Sequence, residues 1–246
     1  MSELYALAPN LVSRPIAHGK LCKSLDLFRE TYFLIVEFKE FEQDASLLPD
    51  AVKLGPRLAA MHLKSARPNA KFGFHVQTYD GCRRQAVDPQ DRWTPFFSRL
   101  LDEAYRQDVE SNGVWPELDA VYSQVQSHLI PRLIGTLEKD GRSVMPVLIH
   151  GDLWDGNIGV ERGTGNPWIF DCAVYYAHHE MELGIWRAPR HMLNKKVYFK
   201  SYLGCWDYQC APSEPREERD DRILLYSAKT NLMHSAIFPD SPSRQT

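Results

Sequence analysis

At 246 residues, 43% hydrophobic and 25% charged, the chain has an ordinary soluble globular composition and the length for one large domain or two modest lobes. Its 29 Lys and Arg against 32 Asp and Glu give a net charge of -3 with no basic block, which excludes the electrostatic footprint of a nucleic-acid or membrane-surface binder. The longest apolar runs, Leu34-Ile35-Val36 and Val147-Leu148-Ile149, are strand-sized and far short of a bilayer span.

The first residues carry neither a cationic start nor a long apolar run, so a cytoplasmic protein is expected. Five scattered cysteines, Cys22, Cys82, Cys172, Cys205 and Cys210, suit reduced thiols better than a disulfide scaffold or a zinc site. A short N-terminal helix is followed by a turn at Arg14-Pro15. Strand candidates then come at Leu21-Cys22-Lys23 and Tyr32–Phe38, β-branched and aromatic. The organisation changes near residue 41, giving an N-terminal unit 1–41 and a helical unit 42–246. Leu54, Leu58, Met61 and His62 recur at helical spacing after Asp50, a suitable N-cap; Pro56 predicts a late start or a kink. Phe96 to Tyr105 form a second apolar stripe, and Leu118 to Leu133 a third, long enough for a central helix. Helical patterns return at 179–187, 192–204 and 219–236.

Between them lies a strand-rich island, 146–171. An apolar strand ends in His150-Gly151-Asp152, a second leaves at Ile158, and a third ends in Asp171, with Arg162 to Pro167 as a hairpin connection. This order delivers Asp152, Asn157 and Asp171 to one edge of a small sheet. Two carboxylates and an amide oxygen are hard ligands suited to Mg2+ beside substrate phosphates. His-x-Asp-x-x-x-x-Asn is the kinase catalytic-loop spacing, in which the Asp accepts a hydroxyl proton and the Asn and a following Asp hold metal.

His150-Gly-Asp-Leu-Trp-Asp-Gly-Asn157 together with Ile169-Phe-Asp-Cys-Ala-Val-Tyr-Tyr176 resembles the fructosamine kinase (ketosamine 3-kinase, protein-ribulosamine 3-kinase) family. Lys71-Phe-Gly-Phe-His75, Trp93-Thr-Pro-Phe-Phe97 and Leu224 to Asn231 extend the resemblance along nearly the whole chain. It implies an α+β, protein-kinase-like fold of the aminoglycoside-phosphotransferase kind: a mostly helical C-lobe with a small catalytic β-hairpin and an incomplete N-lobe sheet. It implies ATP and Mg2+, and phosphorylation of the 3-hydroxyl of ketosamines, small or on glycated proteins, as a deglycation step. Carried over by position, Asp152 is the general base and Asn157 and Asp171 the metal ligands. Trp154 packs on the sugar or else closes the loop as a core ring. Glu37, Phe38 and Lys39 form the hinge that meets adenine.

The chain departs from that pattern. It has no Gly-rich loop and no well-placed phosphate-pairing lysine, and the hinge arrives by residue 37, whereas a full N-lobe takes roughly 65 residues. The chain thus reads as a family member without its first three strands. Weak or absent turnover is expected, with a catalytically impaired, pseudokinase-like binding module as the alternative. An open strand edge available for self-association is expected too. Asp155, where the family usually has serine, would add a third carboxylate beside the metal site. Glu182 stands where an aspartate usually anchors the catalytic loop, and its extra methylene puts the anchor in doubt. Cys172 replaces a proline. A metallohydrolase built on His178, His179, Glu180 and Glu182 lacks the second histidine a zincin helix requires; these residues are expected to open a helix near the substrate side.

Overall fold

The computed structural model describes residues 1–21, 30–44 and 47–239. Helix α1 (Ser2–Leu7) buries Leu4. Strands β1 (Pro15–Lys20) and β2 (Tyr32–Val36) then form an antiparallel pair, Pro15 opposite Val36 and Lys20 opposite Tyr32, with a bulge between Pro15 and Ala17. The expected turn at Arg14-Pro15 is therefore the start of a strand. Proline is tolerated there because a strand's first residue need not donate to the ladder. The first strand ends before Leu21; Cys22 and Lys23 lie outside the described residues. The hairpin stands clear of the core, with Ile16, Tyr32, Leu34 and Ile35 exposed.

Two backbone seams join this segment to the strand-rich island. The Ile169 N–H donates to Leu11 C=O at 2.9 Å, and the Glu42 N–H donates to Val160 C=O at 2.8 Å. Phe41 stacks on Phe170, ring centroids 5.8 Å apart.

Helix α2 (Ala51–Ser65) begins where the Asp50 carboxylate accepts the Val52 N–H at 3.0 Å, and it runs on through Pro56 rather than starting after it. Its apolar face packs on α5 (Lys196–Gln209). Gly55 makes that approach possible, since a Cβ there would lie 2.4 Å from Ser201 Oγ and 2.7 Å from the Tyr202 backbone nitrogen. After a two-residue hairpin, β3 (Tyr79–Asp80) and β4 (Arg83–Arg84), comes α3 (Trp93–Asn112), which packs on α6 (Arg219–Ile237). Trp93, Phe96, Phe97 and Tyr226 fill that junction.

The third apolar stripe is not a central helix. α4 (Pro116–Gln124) buries none of its residues, and the chain continues in wider π-helical turns over Val125–Ile134, which contain Pro131. Ile130, Leu133 and Ile134 of its later part are buried in the core, whereas Leu118, Tyr122 and Val125 pack against it only partly buried. The pattern at 179–187 is likewise a pair of tight 3-10 turns, His179–Leu183 and Ile185–Arg187.

The strand-rich island is built from two separate ladders rather than one sheet edge. β5 (Val147–Ile149) pairs with β8 (Tyr175–Ala177), and β6 (Ile158–Val160) pairs with β7 (Pro167–Ile169), all antiparallel. β5 is fully buried, so the loop that follows it starts from the core. Among the described residues no helix is long and apolar enough to cross a membrane.

Candidate active site

The loop after β5 is fixed before any ligand is considered. Glu182, fully buried, accepts the backbone N–H of His150 at 2.6 Å and of Gly151 at 3.0 Å, and pairs with His62 Nε2 at 3.3 Å. Burial alone would push this carboxyl up, but the hydrogen bond and charge of His62 and the bond from His150 outweigh it and hold the carboxyl below the usual range. The sequence-level doubt about Glu182 is thereby removed: its longer side chain reaches both amides from the 3-10 turn. Gly151 sits at φ +82, where a Cβ would meet Ala173 C=O at 2.4 Å, so only glycine makes this turn. His150 Nε2 donates to Phe170 C=O at 2.9 Å, tying the loop to the β7 end, and burial holds its ring neutral-leaning.

Behind Glu182 lies a relay of hydrogen bonds whose direction is set by the acceptor at its end, Glu182 itself. Trp93 Nε1–H donates to Tyr226 Oη (2.8 Å), which donates to His178 Nδ1 (2.9 Å). His178 Nε2–H donates to Ser213 Oγ (2.8 Å), which reaches His179 Nε2 at 3.5 Å. His179 Nδ1–H donates to Tyr202 Oη (3.1 Å), Tyr202 to His62 Nδ1 (2.8 Å), and His62 Nε2–H to Glu182. Glu182 can only accept, and each hydroxyl has one proton to give, so with one proton on each imidazole every group back to Trp93 has one role. His178, His179 and Glu180 do bring ligand atoms within 4.8 Å of one another. Their capacity is already used, however, since Glu180 accepts from Arg222 Nε at 2.8 Å and Nη2 at 2.9 Å. These residues are core structure and do not open the substrate side.

Asp152, Trp154, Asn157 and Asp171 line one cleft of about 400 Å³, closed on the other side by Asp80, Arg190, His191, Thr230, His234 and the end of α6. That volume lies at the small end of small-molecule sites, roughly 300–1,000 Å³. Asn157 Nδ2 donates to the Asp152 carbonyl (2.8 Å), to Asp152 Oδ2 (2.9 Å) and, more weakly, to the Asp171 carbonyl (3.4 Å). That orients the amide and leaves its Oδ1 as acceptor. Asp171 is exposed and held at φ +56, a left-handed turn that swings its carboxylate off the β7 line. An oriented amide oxygen and an exposed carboxylate form a hard-oxygen donor set, which fits Mg2+.

Asp152 has its pKa raised to about 6, first by burial and then by Asp80 and Asp171, with Lys229 and the Asn157 hydrogen bond opposing. Lys229 is buried and donates to Asp80 Oδ2 at 2.7 Å and Gln85 Oε1 at 2.9 Å; Gln85 in turn donates to Ala173 C=O at 3.0 Å. Sequence reasoning missed Asp80, Lys229 and Arg190. A lysine three residues after Tyr226 and three before Leu232, on the apolar face of a helix, was the available signal.

Trp154 lines the cleft and also folds over its own loop: its ring lies 5.4 Å from His191 and covers Gly156, where a Cβ would be 2.2 Å from the indole. Asp155 adds no carboxylate to this cleft. Its Oδ1 accepts the Met192 N–H at 2.8 Å and faces His191 Nδ1 at 3.5 Å. Glu37, Phe38 and Lys39 do not line the cleft. The Glu37 N–H is used by Arg14 C=O (2.8 Å), Phe38 is 86% exposed, and Lys39 Nζ bonds Glu37 (2.9 Å) and sits 4.0 Å above the Trp168 ring.

The fructosamine kinase family model matches residues 3–245. The chain is 32% identical over 200 residues to the chloroplastic protein-ribulosamine 3-kinase of Oryza sativa subsp. japonica, covering 79% of this chain and 52% of that protein. It spans about half the length of the curated relatives it matches. A fructosamine-3-kinase homologue from Thermobifida fusca superposes with a TM-score of 0.65 at 22% identity, covering 86% of this chain and 66% of that one. An aminoglycoside phosphotransferase superposes with a TM-score of 0.57 at 12% identity, covering 98% and 77%. The architecture is therefore the α+β, protein-kinase-like fold, and the chain belongs to the fructosamine kinase family.

Proposed function

We propose that this chain transfers a phosphoryl group from ATP to the 3-hydroxyl of ketosamines, that is ribulosamine or fructosamine adducts on small amines or protein lysines. The observation that carries the reading is the placement of Asp152, with its pKa raised to about 6, against Asn157 and Asp171 in one small cleft. Phosphoryl transfer asks the protein mainly for positioning and charge stabilisation. In this reading Asp152 is mostly ionised at pH 7 and takes the proton of the sugar hydroxyl as its oxygen bonds to phosphorus. Asn157 keeps that carboxylate in place. Asn157 Oδ1 and Asp171 would hold Mg2+, which supplies charge neutralisation of the transferring phosphoryl group. Trp154 gives the sugar an apolar wall. Phosphate is a better leaving group than hydroxide, so enolisation of the ketoamine toward C1 expels the 3-phosphate, and water then hydrolyses the resulting imine and releases the amine.

Against the expectation of weak turnover stands the completeness of the acceptor side: the loop, its anchor and all three oxygen-bearing side chains are in place. The test is incubation with Mg-ATP and a synthetic ribulosamine, with phosphorus NMR of the sugar product. A 3-phosphate lost in the Asp152→Asn chain is expected. No phosphate on the ketosamine, or transfer surviving Asp152→Asn, overturns the reading.

A further inference from the structure

Among the described residues the cleft wall holds one arginine that makes no ion pair, although the charges of Asp80 and Asp152 act on it. Arg190 lies between the 3-10 turns Ile185–Arg187 and Met192–Asn194 and lines the cleft wall. Its Nη1 donates to Asn231 Oδ1 at 2.7 Å, which fixes the guanidinium plane. Among the described residues no carboxylate comes within 4.0 Å of it, and its buried Nε has no partner. The other cation beside the cleft, Lys229, is already used by Asp80 and Gln85. His191 on the same wall is uncharged at neutral pH, burial and the nearby Arg190 having pushed its pKa down to about 4. Arginine does not deprotonate in proteins, so a half-buried guanidinium with a neutral amide for its partner and no ion pair is an incomplete anion site.

Charge placement says which anion completes it. The catalytic end of the cleft carries Asp152, Asp171 and Asp80, which repel an anionic group and attract the amine of a ketosamine. For a ligand with its hydroxyl at Asp152 and its amine near these carboxylates, Arg190 is the cleft cation left to receive any carboxylate it bears, since Lys229 is taken by Asp80 and Gln85. A planar guanidinium matches a carboxylate with two parallel hydrogen bonds. We propose that Arg190 is the carboxylate receptor of this cleft, making the preferred acceptors the sugar adducts of free amino acids. This rests on the reading of the cleft as a ketosamine site.

The test compares two ketosamines of the same sugar, one on a free amino acid and one on the corresponding amino-acid amide, which lacks the anionic charge. Binding is measured by calorimetry and turnover by phosphorylation, in the original chain, Arg190→Gln and Arg190→Lys. The original chain is expected to bind the carboxylate adduct about 10- to 100-fold more tightly, the range of one charge-assisted contact. Arg190→Gln should remove that preference with little change for the amide adduct, and Arg190→Lys should restore part of it. Equal binding of the two adducts by the original chain overturns the proposal. So does an equal loss for both in Arg190→Gln, which would mark a role toward the transferring phosphate or the fold. Failure of the functional reading is separate: the adducts bind, or not, whether or not they are phosphorylated. Thermal unfolding of the variants confirms that they fold.

Discussion

Glu182 accepts the His150 backbone N–H at 2.6 Å, and this contact ties the loop after β5 to the buried core. The same carboxylate takes Gly151 and His62, so three donors converge on one side chain that is 1% exposed. Glu182→Gln keeps the shape but turns an N–H group toward one of those donors. Each bond to a charged acceptor is worth about 1.5–3 kcal/mol. The variant is expected to lose about 3 kcal/mol of stability and at least ten-fold in kcat, with KM changing less because the loop, not the cleft wall, is disturbed. Urea denaturation and steady-state kinetics on the same preparation check both.

The buried histidines make the fold acid-sensitive. Burial holds His178 and His179 well below the ordinary pKa of 6.5, and lowers His150 as well. The unfolded chain therefore binds protons that the folded chain refuses, so stability is full above about pH 6.5 and is lost as pH falls. Asp152 partly offsets this, since its raised pKa makes the folded chain take up a proton near pH 6. The net expectation is a loss of about 2–3 kcal/mol between pH 7 and 5.5. Urea midpoints across that range, with proton uptake measured on unfolding, test the sign.

Asp152 itself costs stability where it is ionised. Its pKa rises from 3.8 in the unfolded chain to about 6 in the folded one. The penalty is therefore absent below about pH 4, grows between 4 and 6, and is complete above. At neutral pH it is on the order of 2–3 kcal/mol. Asp152→Asn keeps an oxygen for Asn157 and removes the charge. It should raise the melting temperature at pH 7.5 while abolishing transfer, and the gain should vanish near pH 4. An unchanged or lowered melting temperature at pH 7.5 would count against this electrostatic description of the site.

Much of the site was legible because it is local. The His150-to-Asn157 spacing and the strand ending at Asp171 lie within 22 residues, and turn residues between short apolar runs fix their order. The wall opposite was not legible, because Asp80, Arg190 and Lys229 come from three distant stretches that only the packing of α6 brings together. Periodicity placed most helices correctly. It misplaced Leu118–Leu133: these residues are helical as expected, but the helix is peripheral rather than central, and Val121 and Leu129 remain exposed. It failed also at Pro15, where a residue that reads as a turn begins an edge strand.

The Asp80–Lys229 pair gives the sharpest electrostatic test, because both members act on Asp152 with opposite sign. With a general base at about pKa 6, kcat/KM should fall with unit slope below that pH. Asp80→Asn removes a like charge and also frees the Lys229 charge, so both changes favour ionised Asp152. The acid limb should move down by roughly one unit. Lys229→Met does the reverse, leaving Asp80 uncompensated and moving the limb up. It should also cost about 3–5 kcal/mol, as breaking one side of a buried pair does. A purely structural pair would lower activity at every pH in both variants and leave the limb in place. Opposite shifts in the pH profile of kcat/KM are the result that ties Asp152 to its charged neighbours.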